Sequence, residues 1–475
     1  MLRVLLCNPP AEDDKRFIRE GRCTQEQGVW ATLWPPISLA TIGAVLEKDG
    51  HSVKIIDCAA QGVGWGELKQ LINNFSPAIV MWSTGTPSIK SDLGFASLIK
   101  GCDDKIITLV FGTHVTVLDS QCMEAYPEID VIVRNEPEIT SRELVSTLHK
   151  GGEIKEIEGI TYRDAAGVIV RNPPRPFIEN LDELPFPAWH LVNLDYYRLP
   201  LKGKRYLMIS PLRGCPFKCS FCTCHTYYGR RLRKRSVESV IAEIKYDADQ
   251  FGISDFFFWA ETFVVDKEYV RSLCSAIIEK GINISWTSNS RVDTVDRPLL
   301  TLMAKAGCWM ISYGIESGSQ TVLDEADKGT RVMQACEAVR NAREAGIKTV
   351  GHFILGLPGE TEESLAHTID YANELGLDLA QFYCAVPFPG SRLYERALEE
   401  GWISNSDFGN FKQDYALMEL PTVSSRLVNR YRARAYRSFY FNPTRGLTTL
   451  KLVNWKDAGR IWNSVKDFLG WWQKK

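Results

Sequence analysis

Cys215, Cys219 and Cys222 stand at C-x3-C-x2-C spacing in the segment Arg213-Gly214-Cys215-Pro216-Phe217-Lys218-Cys219-Ser220-Phe221-Cys222. Three thiolates on one loop can converge and hold three irons of a four-iron cubane. The fourth iron then has no protein ligand and stays open for inner-sphere chemistry on a substrate. Gly214 and Pro216 help the backbone turn tightly here. The competing reading is a zinc site completed by Cys224 and His225. Structural zinc usually pairs two C-x2-C knuckles, and no second knuckle is present.

The chain has 475 residues and 13 cysteines. The remaining ones, such as Cys7, Cys23, Cys58, Cys274, Cys308 and Cys384, are scattered through apolar runs and read as small buried hydrophobes. The formal net charge is −2, which gives no reason to expect nucleic acid as a partner. The run Arg230-Arg231-Leu232-Arg233-Lys234-Arg235 lacks interleaved aromatics. It precedes Ser236, a fitting N-cap with Glu238 in the first turn. No apolar run reaches the roughly 20 residues of a spanning helix, and the apolar N-terminus is too short for a signal peptide. A cytoplasmic protein of two or three domains is expected.

These side chains need a frame. Apolar runs at 3–7, 53–57, 78–82, 106–111 and 129–133 alternate with helical patterns, including 36–50 and 65–75. Five strands with crossover helices predict a doubly wound parallel sheet over 1–150, whose ligands sit at the carboxyl ends of the strands. Residues 151–204 read as a hairpin followed by a Pro-rich linker. Strand signals at 205–210, 255–259, 284–287, 310–315, 349–355 and 380–385 predict a partial (β/α)6 barrel over 205–400, with its working face at the strand carboxyl ends. Residues 401–475 read as a helical C-terminal segment.

The cysteine loop after the first barrel strand resembles that of the radical S-adenosylmethionine superfamily. Gly314-Ile315-Glu316-Ser317-Gly318-Ser319, Gly356-Leu357-Pro358-Gly359-Glu360-Thr361 and Pro387-Phe388-Pro389-Gly390-Ser391 resemble further signatures of it. The resemblance implies a [4Fe–4S] cluster whose open iron is chelated by S-adenosylmethionine. It also implies a 5′-deoxyadenosyl radical formed with an electron from a donor such as flavodoxin or ferredoxin. By the same resemblance, Glu261 takes the ammonium of S-adenosylmethionine. The family often has two adjacent acids there, and only the second is present. Arg291, in Asn289-Ser290-Arg291, takes the carboxylate, and Glu316 the ribose or ammonium. Phe353 to Gly356 form the adenine-contacting strand, and Phe221 packs on adenine.

A doubly wound domain before such a barrel resembles the Rossmann-like, cobalamin-binding subclass. Its Asp-x-His-x-x-Gly fingerprint falls on Asp57-Cys58-Ala59-Ala60-Gln61-Gly62, with Ala59 where the histidine would stand. The resemblance then implies cobalamin without an imidazole below the cobalt. Ser83 and Thr84 would wall the slot for the nucleotide tail. Gly112-Thr113-His114 stands where a Gly-Gly-x-His pattern is common, and His114 is expected to hydrogen-bond the backbone. Arg134-Asn135-Glu136-Pro137-Glu138 resembles the family's Arg-Gly-Glu-x-Glu. Trp30 and Trp34 are either core aromatics or packing beneath the corrin.

The leading functional expectation is cobalamin-dependent radical methylation of an unactivated carbon in a small molecule, with a hydrophobic molecule or a lipid among the candidates. The first alternative is radical C–H functionalisation without methyl transfer, such as oxidative ring closure on a porphyrin or crosslinking in a lipid. Ser438-Phe439-Tyr440-Phe441-Asn442-Pro443 resembles tails of that cyclase branch. A zinc- or RNA-binding module is the alternative outside redox chemistry. Ile461, Trp462, Val465, Phe468, Leu469 and Trp472 share a helical face, so 455–475 is either a docked helix or a peripheral membrane contact.

Overall fold

The computed structural model describes residues 1–11, 15–21, 25–26, 33–199, 202–403 and 407–441. The chain opens with β1 (Arg3–Asn8), a short ribbon of β2 (Phe17–Ile18) and β3 (Gln25–Glu26), then β4 (Ser52–Asp57), β5 (Ile79–Thr84), β6 (Ile107–Gly112) and β7 (Val131–Val133). β8 (Ile160–Arg163) and β9 (Ile169–Arg171) follow as a hairpin. The main sheet has the order β4-β1-β5-β6-β7-β8-β9. Its first five strands are parallel, as the alternating pattern predicted. β1 and β5 are buried almost end to end, as central strands covered by helices on both faces must be. The hairpin adds antiparallel to the β7 edge, so the sheet continues beyond residue 150 and caps its own open edge.

The chain direction reverses between β1 and β5, where the crevice at the carboxyl edge opens. Asn8, Asp57, Thr84 and Gly112 end their strands there. Gly112 has φ of 143°, and a Cβ would lie 2.1 Å from the Thr84 carbonyl oxygen. Only glycine lets the ends of β5 and β6 approach this closely.

The second sheet comprises β10 (Leu207–Ile209), β13 (Asp255–Phe258), β14 (Ser285–Arg291), β15 (Cys308–Glu316), β16 (Lys348–Leu355) and β17 (Leu379–Cys384), in that order. All five pairings are parallel. This is the expected partial barrel, open between β10 and β17. Between β10 and β13 the ribbon of β11 (Leu212–Arg213) and β12 (Arg233–Lys234) brackets the cysteine loop. The basic run therefore contributes a strand, and Ser236 caps the following helix by accepting from Ser239 N at 3.1 Å.

The helix Ser425–Tyr440 covers the free edge of β17 through its side chains. Tyr436 Oη accepts from Phe382 N at 3.2 Å, and Tyr440 Oη bridges the N–H and C=O of Ala380 at 3.1 and 2.7 Å. Arg432 Nε donates to the Phe382 carbonyl at 2.8 Å. An unpaired strand edge is thereby satisfied without a further strand. Residues 455–475, Trp30 and Cys23 lie outside the described residues. No described helix is long and apolar enough to cross a membrane.

Candidate functional site

The cysteine loop is built by backbone bonds that do not depend on any bound group. Cys215 N donates to Gly229 O at 3.2 Å, Ser220 N to Ala326 O at 2.9 Å and Leu393 N to Ser220 O at 2.9 Å. Gly214 has φ of 87°, with a virtual Cβ only 2.2 Å from Arg231 O, so the turn into Cys215 requires glycine. Donors surround the sulfurs. Cys224 N lies 3.5 Å from Cys222 Sγ, and Arg291 Nη1 3.7 Å from Cys219 Sγ. Such donors favour thiolates and tune a cluster's potential.

Among the described residues, no three His, Cys, Asp or Glu side chains close on one point tightly enough for a single metal ion. The three thiols instead border one cavity of about 350 Å³. Separate thiolates around an open space are what a cubane needs, one thiolate to each of three irons. The residues present fit a [4Fe–4S] cluster.

The same cavity gathers most of the side chains singled out in the barrel: Phe221, Glu261, Asn289, Ser290, Arg291 and Glu316. They come from the ends of three different strands and the cysteine loop. Arg291 is held by Asp293 at 2.8 Å and by the Lys328 carbonyl at 2.7 Å, with its guanidinium 3.6 Å from the centre of the Phe217 ring. Glu316 adopts φ of 68° and pairs with Lys328 Nζ at 2.6 Å. These fixed acids and cations at the mouth suit the ammonium and carboxylate of a methionine zwitterion. Lys328 escaped the sequence reading, because a single lysine between Asp327 and Gly329 carries no spacing signal.

Phe353 and Gly356 are not part of the cavity wall. Along β16 the side chains of Val350, His352 and Ile354 face the cavity. By the two-residue period of a strand, Phe353 faces the helices and stacks on Phe382 at 5.2 Å. Gly356 turns beneath Val428.

At the first sheet, Asp57 caps the turn Cys58–Gln61, accepting from Ala60 N at 3.4 Å and from Tyr197 Oη at 2.7 Å. Burial pushes its carboxyl above the ordinary range. Gly62 closes the turn in the left-handed region, and Ala59 and Ala60 are buried between them. Ser83 Oγ donates to Asn8 Oδ1 at 2.5 Å, and Thr84 Oγ1 to Asp92 Oδ2 at 2.8 Å. Thr113 opens the helix Thr113–Val117 directly after Gly112.

His114 does not hydrogen-bond the backbone as expected. Its Nδ1 lies 3.1 Å from Thr86 Oγ1, and its ring meets Phe408 edge-on at 4.6 Å. The ring is held inside the protein by this packing, and burial keeps it neutral. With Ala59 in the fingerprint and His114 turned inward, the small residues at this edge fit a corrinoid that brings no imidazole ligand from either position.

Burial pushes His114 down to about 3, from an ordinary value of 6.5. A base held neutral in the fold but protonated when unfolded stabilises above its unfolded pKa. That contribution is lost as pH falls from 6.5 toward 3. Urea denaturation should show about 2 kcal/mol less stability at pH 5 than at pH 7 from this residue. The difference should vanish in His114→Gln; an equally steep profile in that variant would refute the assignment.

Two further residues connect the halves. Glu20 lines the cavity beside Gly21 and Trp34 and accepts from Ser38 N and Oγ at 3.2 and 2.7 Å. Burial pushes it up to about 7. Trp34 packs edge-on against Phe257 of β13 at 5.4 Å. The motif after β7 forms a buried clamp onto the cysteine loop. Arg213 donates to Glu136 Oε1 at 3.0 Å and to Glu138 Oε1 at 2.7 Å. Arg233 reaches both oxygens of Glu136, at 2.9 and 2.7 Å. Arg233 of the basic run thus joins an interdomain ion cluster, while Arg231, Lys234 and Arg235 pair with Glu179, Asp266 and Glu243.

Residues 209–372 match the model of the radical SAM superfamily, and residues 28–145 match the B12-binding domain. An uncharacterized methyltransferase of Pyrococcus horikoshii is 33% identical over 93% of this chain and 93% of its own. The chain belongs to the cobalamin-binding radical SAM enzymes. The anaerobic magnesium-protoporphyrin IX monomethyl ester cyclase of Rubrivivax gelatinosus is 29% identical over 86% of this chain and 74% of its own. In fold, the chain is similar to the cobalamin-dependent S-adenosylmethionine radical enzyme OxsB, with a TM-score of 0.75 at 18% identity, covering 98% of this chain and 70% of that one. This enzyme's cofactors are a [4Fe–4S] cluster, S-adenosylmethionine and cobalamin.

Proposed function

We propose that this enzyme methylates a carbon atom of a small organic molecule. When bound, the cluster with S-adenosylmethionine supplies a hydrogen-abstracting radical, and methylcobalamin supplies the methyl group. Cys215, Cys219 and Cys222 hold the cluster. Glu261 accepts from the methionine ammonium, while Arg291 and Lys328 face its carboxylate. Ser290 and Asn289 donate beside them, and Phe221 shields the adenine. The edge built from Asp57, Ala59, Gly62, Ser83, Thr84, Gly112 and Thr113 holds cobalamin. The electron comes from a small electron-transfer protein such as flavodoxin or ferredoxin.

The observation that carries this reading is the continuity of one cavity. It runs from the three cysteines to Glu20, Gly21 and Trp34, which belong to the N-terminal half. The strand-end residues assigned to cobalamin do not themselves line it, but a substrate radical formed near the cluster can meet a methyl donor held by the N-terminal half only at this boundary. Apolar walls there, including Trp34, Phe257 and Trp259, exclude water that would quench the radical.

Incubation of reconstituted enzyme with S-adenosylmethionine, cobalamin and candidate substrates tests the proposal. Methyl transfer yields 5′-deoxyadenosine and S-adenosylhomocysteine together, with a substrate one methyl group heavier. Deoxyadenosine without S-adenosylhomocysteine would overturn it and support the cyclase-type reading, which the Rubrivivax relative favours.

A further inference from the structure

The middle of the barrel carries polar groups to which the proposed cofactor arrangement assigns no role. Ser312, His352, Gln381 and Tyr383 all line the cavity. His352 and Gln381 are register partners, as are Ile354 and Tyr383. The His352 and Tyr383 rings lie nearly parallel, with centroids 5.8 Å apart. His352 Nδ1 lies 3.3 Å from Tyr383 Oη, and Tyr383 Oη donates to Gln381 Oε1. All three are half-buried, while their strand neighbours Phe353 and Phe382 are fully covered. These polar groups, bonded to one another, therefore border open space inside the barrel.

Their surroundings restrict what they can bind. Toward the strand carboxyl ends lie the cysteines, Glu261, Arg291 and Glu316. Toward the other end the wall is apolar: Phe257, Met310, Val350 and Leu379. The lysine and arginine among the described lining residues are already balanced, Arg291 by Asp293 and Lys328 by Glu316. With both cations also facing the carboxylate of S-adenosylmethionine in the proposed arrangement, a second anion would find no further lysine or arginine among the described lining residues and would lose its hydration. Imidazole, phenol and carboxamide each both donate and accept, so they suit a neutral group of either polarity.

We propose that the methyl acceptor is a largely apolar molecule bearing an uncharged hydroxyl, carbonyl or amide, and that His352, Tyr383 and Gln381 receive that group. This rests on the reading that the cavity holds the methyl acceptor.

Equilibrium binding of 1-decanol, decanoate and decyl phosphate to the cofactor-loaded enzyme tests it without turnover. Quenching of Trp34, Trp259 and Trp309, which line the cavity, reports occupancy. 1-Decanol should bind at least about tenfold more tightly than either anion. His352→Phe and Tyr383→Phe should each weaken decanol by about three- to tenfold, with cluster absorbance unchanged. Equal or tighter binding of an anion, no binding of decanol, or unchanged decanol affinity in both variants would overturn the proposal. If a variant loses its cluster, the ranking of the three probes on the unmodified enzyme decides. An enzyme that makes deoxyadenosine without methylating still reports that ranking, so the two readings fail separately.

Discussion

Replacing any one of Cys215, Cys219 and Cys222 with alanine is expected to reduce 5′-deoxyadenosine formation to the uncatalysed background. A cubane held at three corners cannot spare one, because a second open iron admits solvent and the cluster degrades. No neighbour substitutes. Cys224 is 2% exposed, and its hydrogen bond to Cys215, with burial, pushes its thiol far above the usual range. The fold should survive, since the loop hangs on backbone bonds to Gly229, Ala326 and Leu393. Anaerobic iron and sulfide analysis, with far-ultraviolet circular dichroism, separates the two effects. Cys102→Ala, half-exposed on the N-terminal domain, is the control and should keep its iron. Full iron content in Cys219→Ala would refute the ligand assignment.

The second large effect lies away from the chemistry. Glu136→Ala should destabilise the protein by about 3–5 kcal/mol, because it strands buried charges. Glu136 is 3% exposed at its side chain and binds Arg213 and Arg233, themselves 8% and 3% exposed. It also accepts from Ile178 N at 2.8 Å, tying in the linker. Arg213 directly precedes Gly214 and Cys215, so the clamp fixes the cysteine loop against the cobalamin-binding sheet. The loss should appear in denaturant midpoints, with Glu136→Asp intermediate. The double variant Glu136→Gln, Arg233→Met should be less unstable than the sum of its parts, as contacting charges are non-additive. A loss below about 1 kcal/mol for Glu136→Ala would remove the clamp as a structural element.

Much of this architecture was legible before any coordinates. Fully buried parallel strands need near-continuous apolar runs, so β1, β5 and β6 announce themselves. The helix predicted over 65–75 forms at Trp65–Phe75. The cysteine spacing singled out a loop that does border the cavity, because local backbone geometry constrains residue type there.

Other features carried no local signal. A strand's two faces look alike where both are apolar, so the sequence does not tell that Phe353 packs outward while His352 points inward. Glu20 and Lys328 are single residues in irregular segments. His114 turns toward Thr86, a choice set by packing against Phe408, almost 300 residues away in sequence. The hairpin of β8 and β9 gave its turn away but not the sheet it would join.

The sequence by itself determined the two parallel sheets, the spacing of Cys215, Cys219 and Cys222 and the absence of the fingerprint histidine at Ala59. These follow from periodicity and from residue types at short spacing. Only the tertiary structure decided which side chains share the cavity, that Glu136 and Glu138 grip Arg213 and Arg233, and that a polar belt lies inside the barrel. Each of those depends on side chains from distant segments meeting across a domain boundary or a barrel. Such meetings are fixed by packing and charge pairing in three dimensions, and chain order does not encode them locally.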